Sequence, residues 1–331
     1  MKTIFTLSLA VIVLFSAMRS LAQESLPKNG RTVYVTIEGS KIDFVEGLKA
    51  ENFALFDNKV EQKIVYFSDQ PEPASAGFLF DVSSSVLRWG KRDLNEAAES
   101  LGIGVGHLTG EYFLSGFNRD SALLSDWTNR PEVFQKGIQK LPSLLDSRST
   151  RVTSLHDACL TALKKLDQGK YSKKVLVVFT DGVDSSSKTR LRELVDALVA
   201  SHTLVYFVTI VNIDESQAHW VAMGPGDPGN ISAEFFNSVT KKTGGKVYEA
   251  HSEDPTNVER VHVSSGKSEL RQAFEKLFLE LNSQYTLRYA SNEPSGTHSI
   301  DVKVTLPKEI KRDSGSTTIR FQKNYENLEN S

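Results

Sequence analysis

The chain of 331 residues contains one cysteine, Cys159, so no internal disulfide can form and an exported form would depend on its core alone. Charge of one sign is also missing: 39 basic residues face 41 acidic ones, which argues against a nucleic-acid role driven by charge. The 7 histidines show no His-Glu-x-x-His pattern or paired spacing, so a zinc site is not expected. No Gly-x-Ser-x-Gly elbow occurs, which weakens a hydrolase reading. The uncharged N-terminal run Thr3–Met18 is shorter than the roughly 20 residues of a bilayer span.

What is present is ordinary for a soluble globular protein, with 39% apolar and 24% charged residues. The length suits one large domain or two smaller ones. Lys2, the apolar run and Ser20-Leu21-Ala22 together read as an export signal over 1–22, with cleavage after Ala22. An uncleaved anchor is the alternative. The expected location is therefore the periplasm or the cell exterior, with no stable membrane span after cleavage.

Three textures follow. Residues 31 to about 70 carry β-branched and aromatic runs, such as Thr32–Ile37 and Ile64–Phe67. Asp69–Ser75, with two prolines, reads as a linker. From about 76 to 283, short apolar strands (Phe78–Phe80, Tyr112–Leu114, Val175–Phe179, Leu204–Val208) alternate with helical patterns. The helices are expected at 86–101, 131–141, 153–166, 188–201, 232–242 and near 268–282. That alternation predicts a doubly wound, mostly parallel α/β sheet. After about 284 the texture returns to β, in Tyr285–Tyr289, His298–Val304 and Thr317–Phe321. Each end has too few strands for its own core, so residues 284–323 are expected to pair with 31–70 into one small β-sandwich. Residues 324–331 read as a frayed tail. Cys159 falls on the apolar face of a helical pattern and reads as a buried small residue.

In doubly wound sheets, ligands bind beyond the carboxyl ends of strands. Two such loops carry carboxylates here: Asp81-Val82-Ser83-Ser84-Ser85 and Thr180-Asp181-Gly182-Val183-Asp184. Oxygens at i, i+2 and i+4 can converge on one point, and a hard divalent cation takes all-oxygen surroundings. The alternative is that both aspartates merely satisfy loop amides.

Asp81-x-Ser83-x-Ser85, then Thr153, then Thr180-Asp181-Gly182 resembles the metal-ion-dependent adhesion site of von Willebrand factor A domains. The segment Gly47–Asp57 and the strand Tyr285–Tyr289 also resemble a group of exported von Willebrand factor A-related proteins known chiefly from acidobacteria. Where the family often has Gly-Gly before the threonine, Arg151-Val152 stands here. The resemblance implies that Ser83, Ser85 and Thr153 give hydroxyl ligands and that Asp81 and Asp181 bind directly or through water. Mg²⁺ is the cation expected first, with Mn²⁺ or Ca²⁺ as alternatives. Neutral hydroxyl ligands leave a cation's charge under-compensated, so a partner's Asp or Glu carboxylate could complete the shell. Asp184 is expected at the rim, and Ser185–Ser187 as caps of the following helix.

The function expected is an exported protein-binding module and not an enzyme, since no general base or nucleophile is evident beside the motif. A metal-independent scaffold or assembly subunit is the alternative. Gly102-Ile103-Gly104-Val105-Gly106 follows a helical pattern instead of opening one, which favours helix termination and close packing over a dinucleotide loop. The stretch Asn212–Asn230 reads either as a partner-binding loop or as a covered insertion.

Overall fold

A computed structural model describes residues 30–84, 86, 90–145, 152–211, 228–251, 268–291 and 296–327. The segment 1–22 expected to be an export signal, Ser85, Arg151 and residues 212–227 of the stretch Asn212–Asn230 lie outside the described residues. The strands are β1 (Gly30–Gly39), β2 (Phe53–Asp57), β3 (Val60–Gln62), β4 (Ile64–Ser68), β5 (Ala74–Asp81), β6 (Gly110–Phe117) and β7 (Ser121–Thr128). They continue as β8 (Lys173–Phe179), β9 (Thr203–Val211), β10 (Val247–His251), β11 (Tyr285–Ala290), β12 (Gly296–Val304), β13 (Thr317–Arg320) and β14 (Asn324–Asn327). The helices are α1 (Gly90–Gly104), α2 (Pro131–Ile138), α3 (Leu141–Leu145), α4 (Leu155–Leu166), α5 (Leu191–Ala200), α6 (Pro228–Thr243), α7 (Glu269–Asn282) and α8 (Lys308–Ser314).

The central sheet has the order β10-β9-β8-β5-β6-β7, parallel except for β7. Its strands alternate between two cores, as residues of period two must. Val175, Val177 and Phe179 of β8 face α1, α2 and α7, packing with Leu94, Phe134 and Phe274. Leu176 and Val178 face α4, α5 and α6, packing with Cys159, Leu194 and Phe235. Every residue of β5 is buried, which explains the unbroken small and apolar run Ala74–Phe80. The doubly wound α/β fold expected from the sequence is therefore present. Cys159 is 1% exposed, and burial pushes its thiol well above the ordinary value. Among the described residues no helix is long and apolar enough to cross a membrane.

The chain ends form two four-stranded sheets, β13-β1-β11-β4 and β14-β12-β2-β3. Val35 and Leu287 from one sheet and Leu55 and Val302 from the other share a single core, which makes the pair the small β-sandwich expected from the two ends.

Four local expectations change. The stretch from Asn324 pairs with β12 over Asn324–Asn327, where it occupies the outer edge of that strand. Ala74 and Ser75 belong to β5, because the buried Ser75 hydroxyl donates to Glu111 and accepts the Tyr171 amide. The strands β7 and β10 and the helix α8 add to the elements expected from the sequence. Helix α1 begins four residues later than expected and runs on to Gly104, where a short 3-10 turn over Val105–His107 replaces it.

Candidate metal centre

From β5 the chain steps to β6 and β7 on one side, then returns to β8, β9 and β10 on the other. The order thus reverses at β5 and β8, and the crevice beyond their carboxyl ends is where this fold places ligands. Asp81 ends β5, and Thr180-Asp181 follows β8 directly.

Asp81 is completely buried. One of its carboxylate oxygens accepts the Ser83 amide at 2.9 Å, and the other accepts the Thr180 hydroxyl at 2.7 Å. Burial first, and the negative charge of Asp181 second, push its carboxyl up to about 7. Hydrogen bonds from Ser83 and Thr180 work against that rise without cancelling it. Asp181 turns one oxygen to the Val183 amide at 3.0 Å. Gly182, at φ 79°, allows the turn by which its amide reaches the Thr180 hydroxyl.

Thr153 is 3% exposed and precedes α4. The Ser154 amide donates to the carbonyl of Asn118, which follows β6. The Thr153 amide donates to the Ser185 hydroxyl at 2.9 Å, and the Thr153 carbonyl accepts the Ser185 and Ser186 amides. Thr153-Ser154 therefore spans from the end of β6 to the loop after β8, across the end of β5 between them.

The structure thus brings Asp81, Ser83 and Asp181 together and draws Thr153 to the same end of the sheet. Thr180, whose hydroxyl fixes Asp81, belongs to the motif but carries no role in the sequence reading. The signal for it is its place between the last buried residue of β8 and Asp181. Ser185–Ser187 do not cap the following helix, contrary to expectation. They turn back to Thr153 and α4, while the Arg190 amide at the start of α5 is taken by Glu193. Asp184 also turns to α4, accepting the His156 amide.

Among the described residues, neither Asp81 nor Asp181 is ion-paired with Lys or Arg, and no three His, Cys, Asp or Glu side chains form a metal-binding group. Two adjacent carboxylates with hydroxyls beside them form an oxygen-only donor set, and that set fits a hard divalent cation.

The family model for the von Willebrand factor type A domain matches residues 77–244, just over half of the chain. No curated protein matches the sequence. Among solved structures, the chain is similar to the conserved hypothetical protein BatB from Bacteroides thetaiotaomicron, at 14% identity and a TM-score of 0.40, over 61% of this chain and 99% of that one. It is similar to an aerotolerance-related membrane protein from Bacteroides fragilis carrying multiple mutations to serine, at 15% and 0.43, over 63% and 98%. A von Willebrand factor type A protein from Catenulispora acidiphila matches at 9% and 0.46, over 92% and 75%. The family match contains Asp81, Ser83, Thr153 and Asp181, and on its extent the chain belongs to the von Willebrand factor type A domain family.

Proposed function

We propose that this protein is an exported binding module in which a divalent cation captures an Asp or Glu carboxylate of a protein partner. The ligands are Asp81, Ser83, Thr153 and Asp181, with Ser85 included on the motif alone. Mg²⁺ is the expected ion, ahead of Mn²⁺ or Ca²⁺. Von Willebrand factor type A domains are in general interaction modules and not enzymes, and a non-enzymatic role is proposed for this one too. The observation that carries the reading is the pairing of two carboxylates, one completely buried, with neither ion-paired to a basic side chain among the described residues. Burying such charge is costly unless a proton or a cation compensates it.

The chain's own residues hold the donors ready. Thr180 and the Ser83 amide fix both oxygens of Asp81, and Val183 fixes one oxygen of Asp181. When bound, the cation supplies an open coordination position for a partner's carboxylate. Export rests on the Lys2 to Ala22 leader.

Calorimetric titration of Mn²⁺ and Mg²⁺ into the chelator-stripped protein tests the site, with Asp181→Ala alongside. Saturable one-site binding, lost in the variant, is expected. A parent that binds neither ion overturns the reading, and partner capture that survives chelator points to a metal-independent scaffold.

A further inference from the structure

The first amides of a helix lack partners within it and are usually satisfied by a local cap. Ser154 is the right residue in the right place to cap α4, yet its side chain makes no capping bond. Its hydroxyl pairs instead with that of Ser186, at 2.8 Å. The amides of His156 and Asp157 are taken from across the crevice, by Asp184 at 3.3 Å and by the Ser187 hydroxyl at 3.1 Å. The exchange also runs the other way. The Asp157 carboxylate accepts the amides of Lys188 at 3.0 Å and Thr189 at 2.9 Å, and the His156 ring meets the Thr189 carbonyl at 3.1 Å. With the Ser185 bonds to Thr153, the segment Asp184–Thr189 and the start of α4 satisfy each other's backbone groups.

This segment continues directly from Asp181, and Thr153 leads directly into α4. The two pieces are therefore one body that carries candidate ligands from two distant parts of the sequence. We infer that Asp157 and Ser185 are positioning residues of the cation site, forming a clamp that fixes Thr153 relative to Asp181 before any ion arrives. The inference rests on the metal reading above. Its consequence is a preorganised site, in which binding need not order the loop after β8. Groups that orient ligands in this way typically change metal affinity about 10–100-fold when removed.

A merely structural clamp would lower stability and leave affinity alone, so both are measured. Mn²⁺ is titrated into the full chain of the parent and of S185A, S185T, D157N and D181A, with the melting temperature of each recorded. Amide exchange at Thr153, Lys188 and Thr189 is followed in the metal-free protein. S185A and D157N are expected to bind one ion about 10–100-fold more weakly, whereas S185T, which keeps the hydroxyl, retains parental affinity. In the metal-free parent the three amides should exchange slowly, and D157N should speed those of Lys188 and Thr189. Parental affinity in both S185A and D157N, with D181A still abolishing binding, overturns the clamp and leaves the metal reading standing. A parent that binds no Mn²⁺ overturns both.

Discussion

Asp81 shows what the site costs the fold. Its carboxyl, ordinarily at 3.8, sits at about 7 because it is buried first and faces Asp181 second. The folded protein therefore holds this proton more tightly than the unfolded chain does. Between those two values folding takes up a proton, so the stability of the cation-free protein falls as pH rises through that window. Asn at this position keeps an acceptor for the Ser83 amide, and its own amide group can donate to the Thr180 hydroxyl oxygen. In chelator, Asp81→Asn is expected to raise urea-unfolding stability at about pH 8 by on the order of 2 kcal/mol, with the gain vanishing towards about pH 4. The same variant should lose cation binding. An Asn variant no more stable than the parent at about pH 8 would contradict this account. The motif position of Asp81 is legible in the sequence, but its burial against Asp181 is not, because it depends on β5 and β8 lying side by side.

At the scale of elements, legibility follows burial. The runs Val175–Phe179 and Leu204–Val208 are strands buried on both faces and stand out as unbroken apolar stretches. The edge strand β7 hides because it mixes Ser121, Ser125 and Asp126 with its apolar residues, as a strand half open to solvent does. Ser185–Ser187 look like local caps, and only the folded chain shows that their partners sit some thirty residues back at α4. The glycines closing α1 read as close packing, and Gly104 bears that out. A Cβ there would overlap the Phe278 ring of α7, whereas one at Gly106 would meet nothing within 4 Å. Gly104→Ala should destabilise by about 1–3 kcal/mol in urea unfolding through overpacking, although Ala is the better helix former. Gly106→Ala should lie within about 0.5 kcal/mol of the parent. Equal costs for the two would remove steric approach as the reason for Gly104.

The whole molecule is held by a polar seam between the α/β layer and the sandwich. Glu280, near the end of α7, is completely buried. It accepts hydroxyls from Thr36 of β1, Tyr206 of β9 and Tyr248 of β10, and it pairs with Arg320 of β13 at 2.6 Å. Arg320 also meets Glu38, which holds Lys246. None of this is readable in advance: a glutamate on an amphipathic helix looks like a solvent-facing residue, and its partners come from four separate strands. The texture of the two chain ends reveals that they form one sandwich, but not how that sandwich is fastened. A buried ion pair adds little net stability over an apolar substitute, yet breaking one half strands the other charge in a medium that cannot solvate it. Arg320→Met should therefore cost about 3–5 kcal/mol, and adding Glu280→Gln should recover much of that loss, because the amide oxygen still accepts the Thr36 and Tyr206 hydroxyls and the amide nitrogen can donate to the Tyr248 hydroxyl oxygen, with no stranded charge. Because the seam joins both layers, urea unfolding of the parent should give one transition, coincident in Trp fluorescence and far-ultraviolet circular dichroism. Two separated transitions, or a double variant no better than Arg320→Met alone, would show that the layers stand independently and that the seam does not couple them.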